Sequence, residues 1–511
     1  MKILVIINED FGKMVLGKNT TLAYTLAAVG LGHDVYVYKI AADGENFDVQ
    51  KMIDVVHLNK GNALLLVEKY KQENHKIVDM LSWLLQQGSR DVLVEEFCAL
   101  ENILLERRNI FFSEINFVIQ RLEPMKAPFP PVGKTLIGDF LLRLKNIFLQ
   151  NFIFNFPVNA YADKEFPLVL SQGYDDLATP TATSFYGDLE LPQKLQKIAQ
   201  KYSKIFSTTK QKIVFKPDDS AQALGVFAIE IKDEGLNLAQ LKTKTIAELI
   251  STQLYEINAG KDLQDANEIV NILCFIQFCK TWQAPSKEIL AKPTLVQVPP
   301  AQQKEVLPVS AQQILGAKKI SEISPKEISD AINSLYGKNI LMQPFLEGVR
   351  LGDIRINLAK MSDGNFKVVG AVFRKSISYD EKNFTTCLTT GASRAEAVVD
   401  YLSDAEEKNL THKIQFILQQ LNQDEYLKNK YREVVEIGCD FLIVGNGKDV
   451  YFGEANHYCQ ALIPFSESLE EAKKTNFYNH INGLRVDYEG GLAIVSEIIK
   501  QQIALQNQNN L

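Results

Sequence analysis

The sequence predicts an α/β protein with a parallel-sheet domain at the N-terminus, then antiparallel-sheet subdomains interrupted by helical insertions. Three observations carry this expectation. Residues 1–8 are a continuous apolar run, followed by a helix signal at 18–29 and a β-branched and aromatic run at 33–38; this is the β-α-β order of a parallel sheet. Residues 212–217 and 226–231 are strand-like runs around a short polar loop. Residues 438–444 and 450–456 are two more such runs, and Gly445-Asn446-Gly447-Lys448 between them reads as a hairpin turn.

Taken in order, Lys18-Asn19-Thr20-Thr21 offers an N-cap to the first helix, which ends at residues 30–32. Capping alone accounts for these residues, but the free N–H groups there also suit an anionic substrate group, which makes Asn19 and Thr20 candidate ligands. Residues 46–114 read as a helical elaboration, with Leu and Val at helical spacing through 63–85 and 92–105. Residues 115–121 form a strand ending in Arg121, at the edge where open α/β sheets bind ligands; a surface ion pair is the alternative. A short strand and turn at 152–157, a brief helix at 163–172, an extended segment at 178–183 and an amphipathic helix at 191–204 follow.

The strand 212–217 places Lys216 before a loop, an arrangement that suits a phosphate clamp; a plain hairpin with an exposed lysine is the alternative. Residues 233–338 carry helices at 238–259 and 265–282 and a Pro/Gln-rich stretch at 292–309, which reads as a linker or exposed loop. Residues 339–348 form a strand that turns at Pro344, and strands at 355–360 and 367–374 follow. A hydroxyl-rich loop, 383–394, ends in Arg394; helices at 405–421 and 424–437 lead into the hairpin, and 491–502 is an amphipathic helix.

The chain of 511 residues is long enough for about two to four domains. Hydrophobic residues make up 46% and charged residues 23%, with a net charge of −7. Such a balance suggests no broad nucleic-acid footprint and no anionic membrane surface as partner. No apolar run approaches the ~18 residues of a membrane span, and the first strand is too short for a signal sequence. The six cysteines include no CxxC pair, so a reduced cytoplasm is the expected setting.

The chemistry concentrates late in the chain. Glu454 and Asn456 are two residues apart and share a strand face, with Asp440 across the hairpin. All three are hard oxygen donors of the kind that Mg²⁺ prefers beside phosphate, although a solvated polar hairpin would read the same. Asp353 and Arg355 also share a face, and Arg374 closes the next strand. Guanidinium groups fork onto two oxygens, so this cluster suits phosphate or carboxylate ligands; paired charges at a sheet edge are the alternative.

In this order the pieces resemble the ATP-grasp carboxylate–amine ligases, and among them bacterial glutathione synthetases most closely. Gly438-Cys439-Asp440 with Glu454-Ala455-Asn456 is similar to the family's metal motif, and Lys216-Pro217 to its lysine–proline pair on ATP. Ser220-Ala221-Gln222-Ala223-Leu224-Gly225 is similar to the loop of ribosomal-protein glutamate ligases rather than to the multi-glycine loop of glutathione synthetases. Residues 342–346 resemble the adenine-reading segment, and Gly352-Asp353-Ile354-Arg355 the family's Gly-Asp-x-Arg. Asn19-Thr20-Thr21, Arg121-Leu122-Glu123-Pro124 and Asn155-Phe156-Pro157 resemble N-terminal motifs of glutathione synthetases. Cys387 and Ala392 depart from the family's loop pattern.

The resemblance implies an α+β ATP-grasp fold: an N-terminal pre-ATP-grasp domain over 1–157, a lid over 158–232, an insertion over 233–338 and a catalytic subdomain over 339–511. It implies ATP and Mg²⁺ as cofactors, with Asp440, Glu454 and Asn456 on the metal and Lys164, Lys216, Gln222, Gly225, Gln343, Phe345 and Asp353 on the nucleotide. Arg355, Arg374 and Arg394 would be catalytic, and Asn19, Thr20, Arg121 and Gly391 would bind substrate. The implied substrates are a small-molecule or peptide carboxylate and an amino acid, with γ-glutamylcysteine and glycine as the glutathione synthetase pair. Addition of glutamate or another amino acid elsewhere, and a non-catalytic nucleotide-binding scaffold, stay open, as does a homo-oligomer.

Overall fold

The computed structural model describes residues 1–7, 24–25, 28–40, 52–59, 106–122, 152–153, 167, 170–171, 173–174, 176–185, 211–217, 226–231, 339–361, 363–376, 393–396, 402–431, 434, 436–456, 499–500 and 503. Among these residues no helix is long and apolar enough to cross a membrane.

The N-terminal strands are β1 (Lys2–Ile7), β2 (Asp34–Lys39), β3 (Met52–Leu58), β4 (Glu106–Phe111), β5 (Phe117–Gln120) and β6 (Phe152–Ile153), and they lie in the order β4-β3-β2-β1-β5-β6. β1 pairs in parallel with β2 and β5, and β5 with β6. Ile3 to Ile7 are all buried, as expected of a central strand covered on both faces. Helical residues at 24–25 and 28–30 connect β1 to β2, and Gly32, at φ +84°, ends the turn with its N–H on the Val29 carbonyl at 2.9 Å.

The expectation of a helical elaboration over 46–114 is corrected at both ends: β3 and β4 add antiparallel to the sheet. The reason lies in period. Met52, Ile53, Asp54 and Val55 alternate exposed, buried, exposed, buried, which fits a strand and not a helix.

A second sheet holds β7 (Ala182–Phe185), β8 (Gln211–Pro217), β9 (Phe227–Ile231) and β10 (Asn339–Pro344), antiparallel throughout in the order β7-β10-β8-β9. A third holds β11 (Gly352–Lys360), β12 (Phe366–Ser376), β13 (Ser393–Glu396), β14 (Glu436–Ile443) and β15 (Val450–Asn456), antiparallel in the order β13-β12-β11-β14-β15. The predicted helix 191–204, the insertion 233–338 and the loop 383–392 lie outside the described residues.

Between β13 and β14 run α1 (Asp404–Gln423) and α2 (Glu425–Lys430). Ser403 and Glu406 close a capping box at the start of α1, and Asp424 caps α2. Leu410, Ile414, Ile417 and Leu421 recur at helical spacing and are buried, and α1 packs against β12 and β15. The helix expected over 424–437 stops at Lys430, and β14 starts at Glu436. Pairing of β14 with β11, from Glu436 opposite Ala359 onwards, outweighs local helical preference there.

The second and third sheets are joined at two places. Phe345 follows β10 and donates its N–H to the Lys212 carbonyl at 3.0 Å, and a 3-10 turn, Glu347–Arg350, then leads into β11. Within that turn Gly348 donates to the Val444 carbonyl at 3.2 Å. A methyl group on Gly348 would come within 2.5 Å of the Gly445 nitrogen, so no larger residue fits without backbone movement. At the second place, the Thr179 N–H meets the Phe452 carbonyl and the Phe452 N–H meets the Leu177 carbonyl, both at 3.0 Å.

Candidate active site

Strand register assembles the charged residues of the third sheet. Asp353 on β11 stands opposite Arg374 on β12; Arg355 stands opposite Asp440 on β14; Asp440 stands opposite Glu454 on β15. Directly opposed residues share a face, so these side chains form one patch. The apolar residues between them (Ile354, Ile356, Cys439, Phe441) take the other face and are buried. Gly352, at φ +146°, opens β11, and a methyl there would meet the Arg374 carbonyl at 2.4 Å.

The Arg355 guanidinium forks onto Asp440, with Nε to Oδ1 at 2.6 Å and Nη2 to Oδ2 at 2.7 Å. Arg374 forks onto Asp353, with Nε to Oδ1 at 2.6 Å and Nη2 on Oδ2, and its Nη2 also lies 3.0 Å from Asp440 Oδ2. All four residues are buried. Burial alone would lower both arginine pKa values, but Asp440 next to Arg355 and Asp353 next to Arg374 outweigh it and hold both above the ordinary range. Burial raises Asp353 above the usual carboxylate value, against the pull of Arg374. Cys439, on the apolar face, is buried with its thiol pKa pushed up, and so is a poor nucleophile.

Asn456 donates Nδ2 to Asp440 Oδ2 at 2.9 Å and to Glu454 Oε1 at 3.2 Å, so the oxygens of both acids converge on one point. Two carboxylates and an amide fit Mg²⁺ by donor chemistry, with the amide oxygen available after rotation of the side chain. Among the described residues no group of three or more His, Cys, Asp or Glu gathers as a metal cluster; this set counts two acids and an amide.

The trio depends on a β-bulge. Glu454 pairs with Asp440, but Phe452 pairs with Phe441, which leaves Gly453 as the extra residue. Val450 and Phe452 thereby face the apolar side and are fully buried, while Glu454 and Asn456 come round to the charged side, half-buried. Leu442 would meet a Cβ at Gly453 at 2.8 Å, so the bulge residue has no room for a side chain.

On the second sheet, Lys216 is half-buried and shares the strand face of Val214. Val214 packs with Val226, Ala228 and Phe345, and Val349 lies against them, so this face looks toward the joint with the third sheet. Phe345 is thus a core residue at the joint. Gln343 is buried and donates Nε2 to Thr181 Oγ1 at 2.7 Å, which ties the two connecting segments together.

Arg121 is not at a free sheet edge. Its Nη1 donates to Glu436 Oε1 at 2.7 Å, both side chains are buried, and its guanidinium lies 5.0 Å over the Tyr24 ring. Tyr24 Oη reaches Glu436 Oε2 at 3.2 Å. Arg394 falls in register with Lys375, while Arg374 stands opposite Ala395, so Arg394 lies off the row of Arg374. Asn19, Thr20, Lys164, Gln222, Gly225 and Gly391 lie outside the described residues. Sequence reasoning missed Glu436, whose spacing of four from Asp440 puts it on the same strand face, and it missed the bulge at Gly453.

Residues 301–484 match the model of the YheC/D-like ATP-grasp family, a span that contains β10 to β15 and therefore the whole charged patch. This is an ATP-grasp fold. No curated protein sequence matches the chain. Among solved structures, the D-cycloserine synthetase DcsG is similar at 9% identity and a TM-score of 0.43, with 98% of this chain and 99% of that one covered. The D-alanyl-alanine synthetase A of Vibrio cholerae is similar at 10% identity and 0.42, with 99% of each covered. The D-alanine–D-alanine ligase of Bacillus anthracis complexed with ATP is similar at 11% and 0.38, covering 100% and 99%. These likenesses are too distant to decide anything about activity, so the ATP-grasp assignment rests on the family match and the sheets themselves.

Proposed function

We propose that this chain is an ATP- and Mg²⁺-dependent carboxylate–amine ligase that works through an acyl phosphate. The observation that carries the reading is the registered patch in which Arg355, Arg374 and Asn456 converge on the carboxylates of Asp353, Asp440 and Glu454. Asp440, Glu454 and Asn456 would hold the cation, which when bound supplies neutralisation of phosphate charge. Lys216, on the sheet facing the joint, would contact the nucleotide phosphates, and the backbone of 342–346 would read adenine beside Gln343 and Phe345. Arg374 and Arg355 would stabilise charge on the acyl phosphate and on the tetrahedral species after amine attack. In the balanced reaction a substrate carboxylate oxygen attacks the γ-phosphorus and ADP leaves. The amine then attacks the acyl carbon, phosphate leaves, and the amine's proton passes to solvent. Positioning and charge stabilisation suffice for this, and no protein nucleophile is needed.

The glutathione synthetase pair, γ-glutamylcysteine and glycine, is the first substrate reading, from the resemblance of the C-terminal motifs. Addition of glutamate or another amino acid to a different carboxylate is the second, favoured by the Gln222-containing loop. A small-molecule pair handled in the cytoplasm accords with both. The test is ADP release by the full chain with ATP and Mg²⁺, across paired carboxylates and amines. We expect release that requires both members of one pair. A chain that binds ATP and releases no ADP with any pair overturns the ligase reading in favour of a nucleotide-binding scaffold.

A further inference from the structure

Asp440 is the hub of the charged patch, and its Oδ2 accepts from three donors: Arg355 Nη2 at 2.7 Å, Asn456 Nδ2 at 2.9 Å and Arg374 Nη2 at 3.0 Å. The three are not equivalent. Arg355 holds Asp440 through both nitrogens of its fork from the directly opposite position on the neighbouring strand. Arg374 is anchored elsewhere, on both oxygens of Asp353, and reaches Asp440 with one nitrogen at the longest of the three distances. Asn456 bridges Asp440 and Glu454 with a neutral amide, which can turn to present its oxygen. A divalent cation that binds Asp440 Oδ2 must therefore displace N–H donors already on it, and the one carrying positive charge with a second home to retreat to is Arg374. A phosphate group would draw the same guanidinium off Asp440, because the planar fork matches phosphate oxygens.

We propose that Arg374 is a built-in counter-cation that competes with the divalent metal for Asp440, so that nucleotide phosphate and metal each make way for the other. Asp353 is on this view a positioning residue: it holds Arg374 in reserve and is not itself a nucleotide ligand. The inference rests on the ligase reading above for its metal and nucleotide, and it adds a sign that the reading does not contain. Loss of an active-site arginine should improve binding of the metal alone.

The experiment titrates the full-length chain with Mn²⁺ in the absence of nucleotide and follows free Mn²⁺ by electron paramagnetic resonance, for the wild type, Arg374→Gln and Asp353→Asn. R374Q should bind Mn²⁺ alone more tightly, within the 5–150-fold span typical of roughly 1–3 kcal/mol couplings. D353N, in which Arg374 loses its charged anchor and leans on Asp440, should bind Mn²⁺ alone more weakly than wild type by at least about fivefold. A non-hydrolysable ATP analogue should tighten Mn²⁺ binding in the wild type, and R374Q should show a smaller gain. Thermal unfolding checks that each variant is folded, and if R374Q is not, D353N carries the test with its opposite sign. Equal affinities in wild type and the folded variants, or either change with reversed sign, overturn the proposal. If the wild type still takes up the analogue with Mn²⁺ in that event, the ligase reading stands. A wild type that binds neither Mn²⁺ nor the analogue overturns both.

Discussion

One face of β14 carries two buried carboxylates with opposite fates. Glu436, at one end of the strand, meets Arg121 and Tyr24 from the N-terminal part of the chain, and the ion pair is sealed, with side chains 0% and 1% exposed. Asp440, four residues on, is as deeply buried but shares its oxygens among Arg355, Arg374 and Asn456, and the patch opens to solvent through half-buried Glu454 and Asn456. The same residue types make a strut in the first case and a shared, partly open cluster in the second. What separates them is the neighbouring strand: β15 and its bulge bring polar side chains to Asp440, whereas Glu436 is met by another part of the chain. A sealed pair fixes geometry, and an open, over-subscribed one can exchange partners.

The sharpest way to break this contrast is Glu436→Ala. It leaves Arg121 charged and buried, and should cost about 3–5 kcal/mol in stability, measured as a lowered denaturant midpoint. A loss below about 1 kcal/mol would mean that Glu436 is no strut. Glu454→Ala should do the reverse: ADP release should fall about a hundredfold or more while the denaturant midpoint stays near wild type. Unchanged turnover in that variant would remove Glu454 from the metal set.

Gly348→Ala tests whether the open patch depends on the joint. The added methyl would press on Gly445 in the loop between β14 and β15, at a cost of about 1–3 kcal/mol, with nucleotide affinity weakened as well. Calorimetric titration with ATP checks the second effect, and unaltered values for both would detach the joint from the site.

The smallest effect concerns a third buried charge, Lys413 of α1, which donates to the Val450 carbonyl at the start of β15 and lies 4.3 Å over the Tyr451 ring. Burial lowers its pKa to about 8, against the raising pull of Asp449 and Asp176. The unfolded chain holds that proton more tightly, so stability should rise as pH climbs from about 8 toward 10. Beyond that the trend reverses for Tyr451, whose hydroxyl burial pushes up to about 12, because folding then favours its protonated form. Unfolding free energies from urea titrations at pH 8 and pH 10 should differ by about 1–2 kcal/mol in the wild type and by less in Lys413→Met. A flat profile in the wild type would argue that the lysine is not desolvated.

Much of this arrangement was legible in the chain because strand periodicity is local. Glu454 and Asn456 share a face by their spacing alone, and so do Asp353 and Arg355. Which acid meets which arginine was not legible, since register is a long-range property: Arg374 stands opposite Asp353 and not Asp440 only because β12 and β11 pair where they do. The strands at 52–58 and 106–111 were hidden by apolar spacing around them that also fits helices. Arg121 looked like a ligand because nothing in its own surroundings announces Glu436, 315 residues away.

The extra residue at Gly453 has a consequence for how this hairpin can change over time. Val450, Phe452, Glu454 and Asn456 are all even-numbered, and in an unbroken strand they would point the same way. Drawing Gly453 into a regular ladder with every residue kept would therefore turn both oxygen donors into the hydrophobic interior or drive a valine and a phenylalanine into the polar cleft. The bulge is thus the device that lets this strand serve two faces with one parity, and it holds position 453 to glycine, because any side chain there would meet Leu442.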